Sequence, residues 1–286
     1  MPKNDLPRGP PISAATTREP GSISDYSRIA SRYDATRDLP RRSLLACYDR
    51  LTAGGLFPPR GTVLDAGCGT GQVSLPLAER GYEVRGLDVS REMIRLARSK
   101  VRPGWKARYA VGDVRDIVDS DGSFDAVVVS KLFQHIQDWT AACRELIRVV
   151  RPGCPIVQIN ETGAFGNAVR RHFRKRADEL GYSGRYIGLN PHSNKAITTF
   201  MASQGCHVAR LDMTDLGWDV AISYGEALSR IEERLFAEFW YLPAEIHDRL
   251  VADTLAWVEA QPGGRDTMDH LKPYLVVDAF RTPSAG

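Results

Sequence analysis

Between residues 62 and 159, short runs of apolar, β-branched residues alternate with stretches of helical periodicity. Runs of this length predict buried strands, and the apolar spacing that follows Ser90 marks a capped helix. This alternation favours an α/β fold in which helices cover both faces of a mostly parallel sheet. The predicted strands of this part are Thr62–Asp65, Glu83–Leu87, Ala107–Val111, Phe124–Val129 and Pro155–Ile159.

The second half of the chain is less regular but supplies the rest of the sheet. Cys206–Met213 and Tyr274–Phe280 read as two more strands, which gives a doubly wound, mostly parallel, seven-stranded sheet. We expect the last of these strands at or near the sheet edge. The predicted helices of this half are Ala164–Leu180, Asn194–Gln204, Tyr224–Glu238 and Pro243–Glu259.

The composition of the N-terminus predicts the boundary between a leader and the folded domain. Residues 1–22 are rich in proline, glycine and serine, which predicts a flexible leader. Residues 23–286 then form a single domain. We expect a helical lid on its sheet, built from residues 23–57, 164–200 and 223–260.

Charge and cysteine content exclude several classes of protein. A net charge of +3 over 286 residues is too weak to indicate a nucleic-acid or membrane partner. The five cysteines are scattered without a CxxC pair, so we expect reduced thiols, no metal site and a cytoplasmic location. No apolar run reaches the roughly 18 residues of a membrane span. The chain is expected to be a monomer or a homodimer.

The strongest signal is the segment VLDAGCGTG at residues 63–71, where an apolar strand runs into three glycines. Glycines let a ligand approach the backbone, and such a loop lies at the carboxyl edge of the sheet, where nucleoside cofactors bind. The spacing is G-x-G-x-G, because Gln72 stands where the dinucleotide fingerprint has glycine. Asp65 would oppose a pyrophosphate but would suit an ammonium or a sulfonium group.

With these features, residues 23–161 resemble the class I S-adenosylmethionine-dependent methyltransferases. The resemblance is to the small-molecule group of ubiquinone- and menaquinone-type ("type 11") enzymes. It implies a Rossmann-like methyltransferase fold, S-adenosylmethionine as the cofactor and S-adenosylhomocysteine as the product. The quinone-methylating signature after the Tyr33-Asp34 pair is absent, so the resemblance does not extend to a quinone acceptor.

The resemblance also implies a cofactor site. Asp88, after the second strand, would accept hydrogen bonds from both ribose hydroxyls. Asp113, after the third strand, would accept a hydrogen bond from the adenine amino group, and the Val114 N–H would donate one to a ring nitrogen. The implied cofactor residues are Tyr26, Tyr33, Arg37, Asp65, Gly67, Cys68, Gly69, Gly71, Asp88, Val89, Met93, Asp113, Val114, Ser130 and Lys131.

Three residues are candidates for catalysis: His135, Glu161 and Tyr33. His135 follows the fourth strand and Glu161 ends the fifth, where the family places its acceptor. His135 would act as a base or orient the acceptor, although a structural role is open as well. The expected reaction is in-line SN2 methyl transfer to an oxygen, nitrogen or carbon atom of a small molecule, for example a specialised metabolite.

Other functions remain open on the sequence alone. One is an NAD-type oxidoreductase, and another is a protein that binds the cofactor without catalysis. A third is a nucleic-acid-binding module that uses the basic residues between 170 and 176, although the same residues could attract an anionic substrate.

Overall fold

A computed structural model describes residues 26–37, 39–162, 166–182, 188–189 and 194–284. The predicted leader at residues 1–22 lies outside these ranges. The strands are β1 Thr62–Ala66, β2 Glu83–Asp88, β3 Ala107–Val111, β4 Ala126–Val129, β5 Pro155–Thr162, β6 His207–Met213, β7 Val220–Ser223, β8 Met268–Leu271 and β9 Tyr274–Arg281. The α-helices are α1 Ala30–Thr36, α2 Arg41–Ala53, α3 Leu75–Glu79, α4 Arg91–Ser99, α5 Trp139–Val149, α6 Ala168–Glu179, α7 Asn194–Ser203, α8 Tyr224–Glu232 and α9 Ala244–Glu259.

The predicted seven-stranded, mostly parallel sheet is confirmed. Its strand order is β3-β2-β1-β4-β5-β9-β6, and β9 alone among the described strands of this sheet runs antiparallel to its neighbours. The last strand of the chain therefore lies one position inside the edge, and β6 forms the edge itself. A second, two-stranded sheet of β7 and β8 was not predicted.

Two apolar clusters hold helices to the two faces of the sheet. On one face, buried residues of α2, α3 and α4 pack against the strands, with Leu51, Leu77 and Ile94 at most 1% exposed. On the other face, α5 and α7 do the same, for example through Leu146 and Met201. Burial of large apolar side chains on both faces is what stabilises a parallel sheet of this kind.

A third apolar cluster joins α6, α8 and α9 beside the sheet, and we call these helices together with the connection 233–243 the helical layer. The predicted lid segments divide accordingly. Helices α2 and α7 lie on the faces of the sheet, whereas residues 26–37 border the carboxyl ends of the strands and contact the helical layer. Residues 163–165, 183–187 and 190–193 of the predicted lid lie outside the described ranges.

The largest difference from a predicted helix is in α8, and it has a local reason. The helix predicted at Tyr224–Glu238 ends at Glu232, because Arg234 adopts φ +51° and cannot continue a right-handed helix. The N-terminal lid segment 23–57 contains the two helices α1 and α2, and Pro40 directly precedes α2, where its missing N–H costs no helical hydrogen bond. In the described part of the chain, no helix combines the length and apolarity needed to cross a bilayer.

Candidate active site

The glycine loop after β1 presents bare backbone at the point where the strand order reverses. The N–H groups of Gly67 and Cys68 donate to the Leu87 carbonyl of β2 at 2.8 and 3.0 Å, which fixes the loop to the sheet. Gly69 has φ +51°, and a Cβ built there would meet no atom within 4 Å. The space above Gly69 is therefore open to a ligand, which can approach the main chain closely.

A pocket opens over this loop, and its empty space is about 630 Å³ including the mouth. The pocket is formed by residues 26–37, the ends of β1 to β4 and the segment after β4. Its lining residues are Tyr26, Tyr33, Gly67, Gly69, Asp88, Val89, Ser90, Met93, Gly112, Val114, Ser130, Lys131, Leu132, His135 and Ile136.

Asp88 is the acidic group in the wall of this pocket. Its two carboxylate oxygens each accept one backbone N–H, from Gly69 and from Ser90, both at 2.9 Å. Burial raises the pKa of this carboxyl, and the two N–H bonds act in the opposite direction. Each oxygen keeps further acceptor capacity, so the group can receive two hydroxyl donors from a ligand.

A second carboxyl, Asp65, lies behind the loop and is 1% exposed. Its Oδ2 is buried without a hydrogen-bond partner among the described residues. Burial raises the pKa of Asp65 to about 7, and a hydrogen bond from Ser74 only partly opposes this. A nearby cation would favour the ionised form of such a group.

These features fit S-adenosylmethionine. The open glycine cradle suits a close backbone contact, and Asp88 suits a ribose diol. The orphaned buried oxygen of Asp65 suits a positively charged group near the loop. Val89, Met93 and Val114 add apolar walls for an aromatic base.

At the other end of the pocket, Tyr26 and His135 form a hydrogen-bonded pair. The Tyr26 hydroxyl lies 3.0 Å from His135 Nε2, and the two rings meet edge to face. Burial and the charge of Arg37 lower the pKa of His135 to about 3, and burial raises the pKa of Tyr26 to about 12. Both groups are therefore neutral, and His135 Nδ1 is buried without a partner among the described residues.

Lys131 and Glu161 form a buried ion pair at the ends of β4 and β5. Lys131 adopts φ +50°, a left-handed conformation that is costly for a residue with a side chain. Its N–H donates to Asn160 Oδ1 at 3.0 Å, which holds this conformation. Burial lowers the pKa of Lys131, and the Glu161 carboxylate opposes the shift.

Residues 26–37, which we call the strap, cross the pocket and are tied at both sides. Asp34 accepts hydrogen bonds from Thr70 and from Gln72 and forms an ion pair with Lys100. At the other end of the strap, Ser27 Oγ lies 2.9 Å from Ser90 Oγ. The strap therefore contacts the glycine loop and the start of α4 at the same time.

The strap also contacts the helical layer. The Arg37 guanidinium bonds the Leu235 carbonyl and lies 5.2 Å from the centre of the Tyr33 ring. The centre of the Tyr26 ring lies 4.9 Å from that of the Trp240 ring, and the Arg28 guanidinium lies over the Trp240 ring at 4.5 Å from its centre. These contacts close the pocket between segments that are about 200 residues apart.

The structure places most of the predicted cofactor residues in the pocket lining. Those that line it are Tyr26, Tyr33, Gly67, Gly69, Asp88, Val89, Met93, Val114, Ser130 and Lys131. Of the catalytic candidates, His135 and Tyr33 line it, whereas Glu161 lies behind Lys131.

Five predicted cofactor residues do not line the pocket. Asp113 forms a doubly hydrogen-bonded ion pair with Arg115, and its contact with adenine stays a prediction. Arg37 positions the two tyrosines, and Gly71 packs against Tyr109. Asp65 lies behind the loop, and burial raises the pKa of the Cys68 thiol far above its ordinary value, which makes it unreactive.

The sequence reasoning also missed several pocket features. Ser90 was expected as a helix cap only, but it lines the pocket as well. Gly112 could have been found, because it directly follows β3 at the same sheet edge. Trp240 gave no local signal, since only the tertiary fold brings it to Tyr26.

The basic face expected on α6 is largely neutralised. Arg170 is 7% exposed and, with Arg174, bonds the buried carboxylate of Glu238. Arg176 pairs with Glu179 and Asp253. The residues of this face are therefore divided: Arg170 and Arg174 are paired with a buried carboxylate, whereas Arg171 and Lys175 remain exposed. Among the described residues, no group of three or more histidine, cysteine or acidic side chains could hold a metal ion.

Comparison with known proteins agrees with this geometry. Residues 63–153 match the family described as "Methyltransferase domain". A demethylmenaquinone methyltransferase of Thermus thermophilus is 34% identical over 164 residues, which cover 54% of this chain and 74% of that protein. A malonyl-(acyl-carrier protein) O-methyltransferase of Serratia marcescens is 36% identical over 48% of this chain and 51% of its own length.

The chain spans about half the length of most curated relatives that it matches. Among solved structures, it is similar to a phosphoethanolamine N-methyltransferase 2 of Haemonchus contortus, determined with phosphomonomethylethanolamine and S-adenosylhomocysteine. That likeness has a TM-score of 0.54 and 19% identity, and it covers 90% of this chain and 58% of that one. At this identity the likeness shows the fold alone.

Proposed function

The chain belongs to the S-adenosylmethionine-dependent methyltransferases, and on that premise we propose that it methylates an oxygen, nitrogen or carbon atom of a small molecule. One observation carries the proposal. A single pocket is lined at one end by the glycine loop and Asp88, and at the other end by the Tyr26–His135 pair. A nucleoside-bearing donor and an acceptor could therefore meet in one enclosed space.

The strand ends would hold the cofactor. When bound, S-adenosylmethionine supplies a methyl group on a sulfonium, which an electron-rich atom attacks in line. Asp88 would accept the ribose hydroxyls, and Asp65 would face the positively charged part of the ligand. Holding the donor and acceptor in line is the protein's main contribution, and it is worth about 7–11 kcal/mol on the scale of intramolecular reactions.

His135 would receive the proton when the acceptor is a hydroxyl. If Nε2–H donates to the Tyr26 oxygen, the lone pair of Nδ1 remains available at the pocket wall. The low pKa of His135 makes it a weak base. A weak base suffices for a hydroxyl acceptor, because the oxygen atom becomes strongly acidic as it is alkylated. Tyr26 would hold the ring and stabilise its protonated form.

The strap and the helical layer would exclude water. Asp34 and Ser27 tie the strap to the cofactor side, and Arg37 ties it to the helical layer. These segments would form the lid of the single domain expected from residue 23 onward. Closure would also prevent hydrolysis of the reactive donor.

Several finer statements are part of the same proposal. We place the protein in the cytoplasm as a monomer or homodimer without nucleic-acid or membrane partners, and the unpaired state of its five cysteines supports the location. A nicotinamide dinucleotide fits less well. Gln72 stands where the dinucleotide-binding fingerprint has its third glycine. The buried carboxylate of Asp65, behind the loop, would repel a pyrophosphate.

The proposal is tested by incubating the protein with methyl-labelled S-adenosylmethionine and a panel of phenols, amines and carboxylates. Mass spectrometry then follows the labelled product and S-adenosylhomocysteine. We expect label transfer to at least one acceptor, with one S-adenosylhomocysteine formed per methyl group transferred. If the protein binds neither the donor nor its demethylated product, the proposed function is wrong.

A further inference from the structure

One oxygen of the Glu161 carboxylate lacks a hydrogen-bond donor. Oε1 forms the ion pair with Lys131 Nζ, while Oε2 is buried and receives no hydrogen bond from the residues that the structure describes. The side chain is 2% exposed, so water does not replace the missing donor freely. A buried carboxylate oxygen without a donor is unfavourable, which points to a donor carried by a bound molecule.

Glu161 lies next to the proposed acceptor end of the pocket. Glu161 itself lies behind the lining, but its ion-pair partner Lys131 lines the pocket. Tyr33 lines the pocket as well; burial raises the pKa of Tyr33, and the charge of Glu161 adds to that rise. His135 Nδ1, in the same lining, is the other buried polar atom near this end that has no partner among the described residues. A ligand with a single polar group would satisfy only one of the two atoms.

Lys131 holds Glu161 in place through its backbone as well as its charge. The left-handed conformation of Lys131 is fixed by its N–H bond to Asn160, which directly precedes Glu161 on β5. The ends of β4 and β5 therefore carry the strained Lys131, the hydrogen bond that holds its conformation and the Lys131–Glu161 ion pair. Strain that the surroundings hold in this way is typical of functional sites.

We propose that Glu161 Oε2 is the specificity determinant for the acceptor, which extends the methyl transfer proposed above. The acceptor carries two polar groups: the reacting group faces His135, and a second hydroxyl or N–H group donates to Glu161 Oε2. Lys131 is the positioning residue that fixes the Glu161 carboxylate. A ligand carboxylate or phosphate at this position is disfavoured, because it would bring a second negative charge to the Glu161 oxygen.

The test compares phenol with the three dihydroxybenzenes as probes, so that the spacing of the two hydroxyls is not assumed. Binding to the full-length protein saturated with S-adenosylhomocysteine is measured by ligand-observed NMR. We expect the best dihydroxybenzene to bind about tenfold more tightly than phenol. In Glu161→Gln this preference falls to about threefold or less, because a charge-assisted bond becomes a neutral one.

Three further variants separate recognition from folding. Lys131→Arg keeps the ion pair and is expected to keep the preference, whereas Lys131→Met is expected to lose it. Glu79→Gln, at an exposed pair with Arg41, is the matched control and leaves the preference unchanged. The affinity for S-adenosylhomocysteine in each variant reports whether the pocket has folded.

The outcomes distinguish a failure of the inference about Glu161 from a failure of the proposed function. If S-adenosylhomocysteine binds but wild-type protein shows no preference for a second hydroxyl, or binds none of the probes, the inference about Glu161 is wrong and the proposed function stands. An unchanged preference in Glu161→Gln overturns the inference as well. If S-adenosylhomocysteine itself does not bind, the proposed function fails.

Discussion

The two ends of the pocket are built in different ways. At the cofactor end, short local segments place every group: the glycine loop follows β1, Asp88 ends β2 and Gly112 follows β3. At the acceptor end, contacts join residues that are far apart in the chain, such as Tyr26 with His135 and Arg37 with Leu235. The first end depends on the sheet, and the second depends on the packing of the strap against the helical layer.

This difference explains how one fold can keep its cofactor while its acceptor changes. Backbone N–H groups and strand ends are fixed by the sheet hydrogen bonds, so substitutions elsewhere leave them in place. The strap and the helical layer meet through side chains, which can be exchanged without altering the sheet. We therefore expect variants at the two ends to change different measured quantities.

The largest effect is expected from Asp88→Ala at the cofactor end. Loss of both ribose contacts should abolish measurable binding of S-adenosylmethionine in calorimetry, while circular dichroism shows an intact fold. Asp215→Ala, at an exposed pair with Arg50, is the control and should bind normally. Normal affinity in the Asp88 variant would contradict the ribose assignment.

At the acceptor end, His135→Ala should lower kcat by about 10²–10⁴-fold when the acceptor is a hydroxyl. Its affinity for S-adenosylmethionine should stay unchanged, because the imidazole is assigned to the acceptor. The control is His270→Ala on the exposed strand β8, which should turn over at the wild-type rate. Wild-type turnover in the His135 variant would remove this residue from the mechanism.

Asp65 gives a pH test of the cofactor end. Because burial raises its pKa to about 7, the folded protein holds this proton more tightly than the unfolded chain does. The stability of the ligand-free protein should therefore fall as the pH rises from about 4 to about 7. Asp65→Asn should remove this loss and be more stable at pH 8, by at most about 4 kcal/mol in denaturant titrations.

The same substitution should affect the cofactor in the opposite direction. Wild-type affinity for S-adenosylmethionine should increase as the pH rises through the Asp65 pKa of about 7, because the ionised carboxylate attracts the cationic ligand. In Asp65→Asn, calorimetry should show an affinity that is about tenfold weaker at pH 8 and constant with pH. An affinity that depends on pH equally in both proteins would contradict this role.

The smallest effect on cofactor affinity is expected from Asp34 in the strap, which contacts both ends of the pocket. Asp34→Ala removes the hydrogen bonds from Thr70 and Gln72 and the ion pair with Lys100. These interactions are partly exposed to solvent. S-adenosylmethionine should bind about two- to fivefold more weakly, through faster release in stopped-flow experiments. Asp49→Ala, at an exposed pair with Arg80, is the control. An unchanged release rate would show that the strap does not retain the cofactor.

The cofactor end could be predicted from the sequence because its signals are local. Three glycines after an apolar strand, and acidic residues after the next two strands, are enough to indicate where a nucleoside would bind. Asp113 shows where this reasoning stops. The sequence gives its place after β3 but not its ion pair with Arg115, which depends on side-chain orientation.

At the acceptor end, His135 and Tyr33 could be predicted, but the packing around them could not, for physical reasons. Arg170 has the helical spacing of a solvated residue, yet Glu238 draws it into a buried ion pair. The end of α8 at Glu232 carries no glycine or proline signal, because the left-handed residue there is Arg234. Tertiary packing decides these features, and the local sequence does not encode them.

The central claim is that the pocket over the glycine loop binds the methyl donor and its demethylated product. Isothermal titration of the wild-type protein with S-adenosylhomocysteine tests it most directly. We predict binding at a single site, with a dissociation constant between about 1 µM and 1 mM, the usual range for enzyme substrates. No heat of binding up to several millimolar ligand, with the protein folded, would contradict the account.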